Sequence, residues 1–325
     1  MAKLETSYLN LKLKNPVIVS SCGLSGNISK IEKLATNGAG AIVLKSIFEE
    51  QIRIEAGLML KGSDYPEATD YIMTYAKSNA LENYLKLIED AKSRIDIPVI
   101  ASINCVSSSE WISFAKNMQE AGASAVELNV YILPTSEKDN GKQIEDLYHS
   151  ILANIKKVVT IPVSVKIGLH FSNIPAFVNN LKANGADGVV MFNRFYAPDI
   201  DLKTMNFTTS EVFSNPADIR HSLRWVGIVS SLVSNLDICA STGIHDAEGA
   251  IKQILAGAKA VQVCSTLYKN GPEYLKKILS EMEEWMDKHN FNDLHELRGR
   301  MSYKNIPDPT VFERAQFMKY FSNLT

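Results

Sequence analysis

The sequence predicts an α/β fold, a (β/α)8 TIM barrel in a single domain spanning residues 1–325. Three observations predict it. First, short apolar strands alternate with amphipathic helical stretches along most of the chain, the pattern of a parallel sheet. Second, Asn37-Gly-Ala-Gly, Ala121-Gly-Ala-Ser, Asn184-Gly-Ala-Asp and Ala256-Gly-Ala-Lys recur, each just ahead of a strand. Each reads as a glycine that ends a helix and turns the chain into the sheet. Third, the stretch from Asp237 to Thr266 reads as strand, tight turn, helix, turn, strand. Its strands end in Ser241-Thr242-Gly243 and Cys264-Ser265-Thr266. In a parallel unit both ends emerge on one face, where small residues leave backbone N–H groups uncovered and a following helix adds its dipole. That suits a phosphate, and in this fold the phosphate site lies after strands seven and eight.

The elements follow in order. The first barrel strand is Pro16–Ser21, followed by a helix near Ile28–Thr36 and a second strand at Ala41–Ser46. Residues 47–78 are an insertion carrying Gly57, Gly62 and Pro66. A helix over Asn79–Ser93 leads to the third strand, Pro98–Asn104. Ser107–Glu110 supplies N-cap residues for the next helix. The fourth strand is Ala125–Val130, with a loop to about Lys142 and a helix over Ile144–Val158. The fifth is Pro162–Ile167 and the sixth Gly188–Asn193. A second insertion runs over 194–219, then a helix over Leu223–Ser234 precedes strands seven and eight. The last long helix is Pro272–His289, and a tail over 291–325 with Pro307 and Pro309 packs on the barrel surface.

Composition narrows the function. A 46% hydrophobic content in 325 residues is ample for a large core, and the net charge of −2 argues against nucleic-acid or anionic-membrane partners. The four cysteines have no CxxC spacing, so neither a zinc ribbon nor a thioredoxin-type site is indicated. No apolar stretch is long enough to span a bilayer. The opening Met1-Ala-Lys-Leu-Glu lacks the basic region and apolar run of a signal peptide. The expectation is a cytoplasmic protein with reduced thiols, a small-molecule substrate and no metal.

Active sites of this fold draw on strand ends, where the sequence places Ser20, Ser21, Lys45, Ser46, Asn104, Glu127, Asn129, Lys166 and Asn193. Alternate residues of a barrel strand point inward, so Lys166 in Val163-Ser-Val-Lys-Ile faces the mouth. Burying an ammonium is costly unless it is paired or used; the bland alternative is a lysine that snorkels out of the rim. Lys45 reads the same way, and Glu127 can pair with either. Asn129 and Asn193 are loop caps or hydrogen-bonding partners of a planar heterocycle. Such a lysine serves as a Schiff-base nucleophile or stands beside a flavin and tunes its electronics.

Asn15-Pro-Val-Ile-Val-Ser-Ser, Val43-Leu-Lys-Ser, Glu127-Leu-Asn, Val165-Lys, Phe192-Asn, Ser241-Thr-Gly-Ile and Cys264-Ser-Thr-Leu-Tyr-Lys-Asn-Gly-Pro occur in order. Over about residues 4–300 the chain thereby resembles the dihydroorotate dehydrogenases, most closely the soluble class 1 flavoproteins. The resemblance implies an FMN-binding barrel that oxidises dihydroorotate to orotate in pyrimidine biosynthesis, as a homodimer. Ser20, Ser21 and Cys22 would lie along the flavin, Lys45 and Ser46 would reach its ring, and Asn129 and Lys166 would contact it. Thr242, Gly243, Cys264 and Ser265 would hold its phosphate. Lys45, Asn104, Asn193 and Arg194 fall where the family places substrate contacts.

The departures bear on the chemistry. The family's short loop, typically Leu-Ser-Cys-Pro-Asn, carries a Cys or Ser as general base. Here it reads Val130-Tyr-Ile-Leu-Pro-Thr. Ile132 holds the base position and cannot accept a proton; Tyr131 beside it is the catalytic candidate left on the loop, with a high ordinary pKa. The family's Asn-rich substrate segment is replaced by Glu67-Ala-Thr-Asp-Tyr-Ile-Met, and a glycine-rich turn by Ile219-Arg-His-Ser-Leu-Arg. Cys22, Cys105 and Cys264 stand where the family commonly has glycine, either as space-filling residues or as a redox-active or metal-binding cluster. His170 is a further acid/base candidate, and His245 reads as a first-turn helix residue. The flavin site is expected to be kept and the orotate site rewritten. The alternatives are an FMN-binding barrel acting on another small substrate and a flavin-binding subunit without turnover.

Overall fold

Runs of three to six apolar, largely β-branched residues are too short to sustain helices, and here they pair as parallel strands. The computed structural model describes residues 2–48, 52, 54, 66–104, 108–194 and 197–313. An antiparallel hairpin comes first, β1 (Thr6–Tyr8) and β2 (Leu11–Leu13). Leu9 and Asn10 between them both have positive φ, 54° and 57°, as a tight two-residue hairpin turn requires.

Eight strands then close the barrel. They are β3 (Val17–Val19), β4 (Ala41–Val43), β6 (Val99–Asn104), β7 (Ala125–Asn129), β8 (Val163–Ile167), β9 (Gly188–Met191), β12 (Asp237–Ser241) and β13 (Ala260–Val263). Each pairs in parallel with its neighbours, and β13 beside β3 together with β4 beside β6 completes the circle. A short β5 (Ile47–Phe48) extends the edge of β6. Helices α1 (Ile28–Thr36), α2 (Pro66–Arg94), α3 (Ser108–Glu120), α4 (Gly141–Lys156), α5 (Ile174–Ala183), α6 (Ile219–Leu232) and α7 (Ala247–Ala256) fall between successive strands. After β13 come α8 (Ser265–Asn270), α9 (Tyr274–Lys288) and α10 (Leu294–Leu297).

Side-chain caps start several helices. Asn173 Oδ1 accepts from Ala176 N at 3.1 Å, and Asp246 Oδ1 accepts from Gly249 N at 2.8 Å. The glycines of the recurring phrase leave them: Gly38, Gly122, Gly185 and Gly257 all have positive φ. Gly257 also has no room for a side chain, since a Cβ would lie 2.4 Å from Ser230 Oγ.

Element ends differ from expectation by up to three residues at several places, and two helices start further ahead. The helix expected over 79–93 begins at Pro66, inside the expected insertion; proline suits a first helical turn because its φ is pre-set and its missing N–H would have had no partner. The helix expected at Leu223 begins at Ile219, led by a 3₁₀ turn over Pro216–Asp218 that Asn215 caps, its Oδ1 accepting from Ala217 N at 3.0 Å. The 194–219 segment is not irregular throughout: β10 (Pro198–Asp201) and β11 (Asn206–Thr209) form a hairpin. Cys105, the start of the expected cap at Ser107, and most of the segment between β5 and α2 lie outside the described residues.

The core has two parts. Helices pack on the outer faces of the strands. Inside the lower barrel, Ile18, Val43, Ile100 and Val190 meet Tyr8, Leu9 and Leu13 of the β1–β2 hairpin. Leu9 N donates to Asp237 Oδ2 at 2.8 Å, and a Cβ on Gly188 would lie 2.7 Å from Leu9 Cδ2. The hairpin is a plug at the N-terminal end of the strands, which directs any site to the other end. The described tail packs on the outside. Met301 N donates to Leu255 O at 2.8 Å, Tyr303 N donates to Gly227 O at 3.0 Å, and Phe312 lies over Gly227. No helix among the described residues is long and apolar enough to cross a membrane.

Candidate active site

Strand alternation decides what faces the upper barrel. Inward positions that are apolar low down become polar above: Ser20 after β3, Ser102 on β6, Glu127 on β7, Lys166 on β8 and Gln262 on β13, all buried. Register brings them level, with Ser102 beside Glu127 and Asn129 beside Lys166. Lys166, 6% exposed, donates from Nζ to Ser20 Oγ at 3.0 Å and to Gln262 Oε1 at 2.9 Å. It lies 3.8 Å from Glu127 Oε1, while Gln262 Nε2 donates to Glu127 Oε2 at 2.5 Å. Burial pushes the Glu127 carboxyl up, opposed by the Lys166 ammonium and the Gln262 amide. An ammonium has three N–H groups; two are used by Ser20 and Gln262, Glu127 stands beside it, and Lys166 also lines a cleft.

That cleft has a volume of about 550 Å³. A serine chain forms one wall: Ser21 and Ser46 hydroxyls are 3.0 Å apart, and Ser46 and Ser102 hydroxyls 2.7 Å. Tyr84 fixes the last of these, its hydroxyl donating to Ser102 O at 3.1 Å. Lys45 crosses the lip with its stem against Gly26 and its side chain exposed. Across the cleft, Asn193 Nδ2 donates to Asn129 Oδ1 at 2.7 Å.

Ser241, Thr242, Gly243, Cys264 and Ser265 line one end together. Thr242 and Gly243 have φ of 76° and 80°, and a Cβ on Gly243 would lie 2.1 Å from Ile219 N. Only glycine fits where the turn meets the start of α6. Residues 211–218 strap this end. Ser214 N donates to Ser265 Oγ at 3.0 Å, the Ser214 hydroxyl lies 3.0 Å from His245 Nε2, and Lys269 Nζ donates to Ser214 O at 3.0 Å. Phe213 lies over Tyr268 with ring centroids 5.3 Å apart. His245 stands ahead of the Asp246 cap of α7 rather than in its first turn as expected; it pins the strap through Ser214, and burial holds its imidazole below its usual value.

The structure thus brings Ser20, Ser21, Cys22, Lys45, Ser46, Asn129, Lys166, Asn193, Arg194, Thr242, Gly243, Cys264 and Ser265 around one cleft. Arg194 lines it, yet its guanidinium donates to Val212 O and Glu211 O, both at 2.7 Å, and so also holds the strap. Asn104 is buried at the end of β6, opposite Phe48, and is not part of the lining. Tyr131 is 42% exposed and outside the cleft, with its phenol pushed up by partial burial. His170 lies in an adjoining hollow with Asp218 and His221.

A family model described as dihydroorotate dehydrogenase matches residues 67–286. The chain belongs to the dihydroorotate dehydrogenase family. Among its relatives, the dihydroorotate dehydrogenase B (NAD(+)) catalytic subunit of Thermoplasma acidophilum is 30% identical over 307 residues, covering 92% of this chain and 99% of that one. The protein of the same name from Methanocaldococcus jannaschii is 28% identical, with 91% and 97% covered. Dihydroorotate dehydrogenase A (fumarate) of Limosilactobacillus reuteri is 28% identical, with 91% and 97% covered.

Ile132 of this dihydroorotate dehydrogenase family member is partly buried against the apolar core. Gln262, Ser102, Phe48, Phe213 and Ser214 were not singled out from sequence. Gln262 carried a usable signal, a polar residue on the inward parity of Ala260-Val-Gln-Val. Phe213 and Ser214 carried none, because they reach the cleft from an insertion with no strand parity.

Proposed function

We propose that this chain is an FMN-dependent oxidoreductase that removes hydrogen across a CH–CH bond of dihydroorotate, giving orotate for pyrimidine biosynthesis. The observation that carries this reading is Lys166, a buried cation held by Ser20, Gln262 and Glu127, on the floor of a cleft whose far end is built of hydroxyls and glycine. The donor set fits FMN. Ser241, Thr242, Gly243, Cys264 and Ser265 suit its phosphate, and the space between Ser20–Cys22 and Asn129–Asn193 suits a planar ring. When bound, FMN supplies the acceptor for a hydride from the substrate carbon. The chain supplies the rest. Lys166 places fixed positive charge at the floor, where negative charge on a reduced ring is stabilised. Asn129 and Asn193 orient a heterocycle by amide hydrogen bonds. Phe48, Phe213 and the strap keep water from the reacting atoms.

Ile132 favours a second reading, the same hydride chemistry on another small substrate, because the loop position that takes the substrate proton in the family holds no acceptor here. A cytoplasmic location and a homodimer belong to the proposal. The homodimer is supported by the β10–β11 hairpin, which exposes Ile200, Leu202, Met205 and Phe207, the last three each 83% exposed. A separate electron-carrying subunit is also part of the proposal, since relatives bear the name catalytic subunit.

An anaerobic visible spectrum of the purified protein, before and after dihydroorotate, tests both readings. The expected result is a yellow protein that bleaches. A yellow protein that bleaches only with dithionite would transfer the reading to another substrate. A colourless protein that does not take up added FMN would overturn it.

A further inference from the structure

A second hollow opens off the cleft on the Lys45 side, with a volume of about 160 Å³. Ala80, Tyr84 and Leu87 of α2 wall it on one side, and Phe48 and Ile52 on the other. Spacings of four and three residues put the three α2 side chains on one helix face. Lys45, Ser46 and Phe48 belong to both spaces, so the hollow is continuous with the cleft but separate from the volume that the Lys166 network floors.

Two polar side chains besides Lys45 reach the hollow, and both are already engaged. The Ser46 hydroxyl is 3.0 Å from that of Ser21 and 2.7 Å from that of Ser102. The Tyr84 hydroxyl donates to Ser102 O at 3.1 Å and accepts from Ser102 N at 2.8 Å. The side-chain surface left over is carbon. A ring with amide edges, such as that of dihydroorotate, would leave its polar atoms without side-chain partners there, and unpaired buried polar atoms are costly. Lys45 is the opposite case. Its stem lies along Gly26, where a Cβ would be 3.3 Å from Lys45 Cδ. Its side chain is exposed at the lip, and among the described residues nothing pairs with its ammonium.

We propose that the hollow is a specificity subsite that takes the apolar substituent of a small carboxylic acid, with Lys45 pairing the carboxylate at the lip. An unpaired cation beside a carbon-walled recess recognises a molecule that is anionic at one point and apolar next to it. The main cleft stays open to the cofactor. The inference rests on the second reading of that cleft, hydride chemistry on another small substrate, and it names the chemical class of that substrate.

The test titrates straight-chain carboxylates, from butyrate to octanoate, into the full-length protein supplied with FMN, and reads affinity by calorimetry. Affinity should rise about fourfold for each CH₂ buried, and level off once the hollow is full. Ala80→Phe, which adds a ring to the wall, should level octanoate with butyrate; Leu87→Trp is the substitute should that variant fail to fold. Lys45→Gln should weaken every acid by a common factor of about threefold, the scale of an exposed ion pair. A series without length dependence would overturn the proposal. So would a length dependence that survives the filled wall, or a Lys45→Gln variant that binds every acid as the parent does. The visible spectrum of the same samples reports the cofactor separately. A flat series in a yellow protein would remove the subsite and leave the flavin reading standing, whereas a rising series in a protein that takes up no FMN would support the subsite and remove the flavin.

Discussion

Lys166 and Glu127 are two ionisable groups that water would hold far better than a barrel interior does, and each is tolerable there because of the other and of Gln262. Breaking a buried pair from one side costs about 3–5 kcal/mol, because it strands a charge. Lys166→Ala should therefore lose about that much unfolding free energy in urea at pH 7, and adding Glu127→Gln should restore part of it. Flavin reduction should stay lost in the double variant. A double variant as unstable as the single one would show that the carboxylate is not the liability. The sign with pH is fixed by burial, which raises the Glu127 carboxyl. A raised acid contributes stability below its ordinary value and loses it as pH rises through the folded value, so the Lys166→Ala defect should be smaller at pH 5 than at pH 8. Lys166 was legible in the sequence because a lysine among valines on a strand of known parity has one place to point. Its partner Gln262 obeys the same rule, but an uncharged residue in a strand raises no question of cost.

The strands and most helices were legible because periodicity and terminal glycines are local signals. The segment between β9 and α6 was not, because an insertion is shaped by what it lands on. The 211–218 strap is the clearest instance: Ser214 is defined by His245, Ser265 and Lys269, 31 to 55 residues further along the chain. Under the FMN reading the strap retains the cofactor's phosphate end. A hydrogen bond is worth about 1 kcal/mol, so Ser214→Ala, which keeps the backbone bonds and loses the contact to His245, should speed FMN release about fivefold. Recovery of flavin fluorescence on dilution measures it. An unchanged rate would mean that the strap stiffens α6 and leaves the cofactor alone.

At the scale of the molecule, the barrel has a lower end committed to packing and an upper end committed to chemistry. Leu9 belongs wholly to the first, fully buried and seated against Gly188 and the barrel interior. Leu9→Ala should cost about 2–5 kcal/mol, read from urea unfolding, while flavin content per folded molecule stays that of the parent. Loss of flavin in step with stability would show that the two ends are coupled. The barrel was readable from recurring units, whereas the plug was not, since Thr6–Leu13 is a short, ordinary-looking stretch whose value comes from the cavity it fills. With that end stoppered, the residues that keep the frame upright and those that meet a ligand are inherited as separate estates. A descendant can change residues at the mouth without passing through an ancestor too frail to fold.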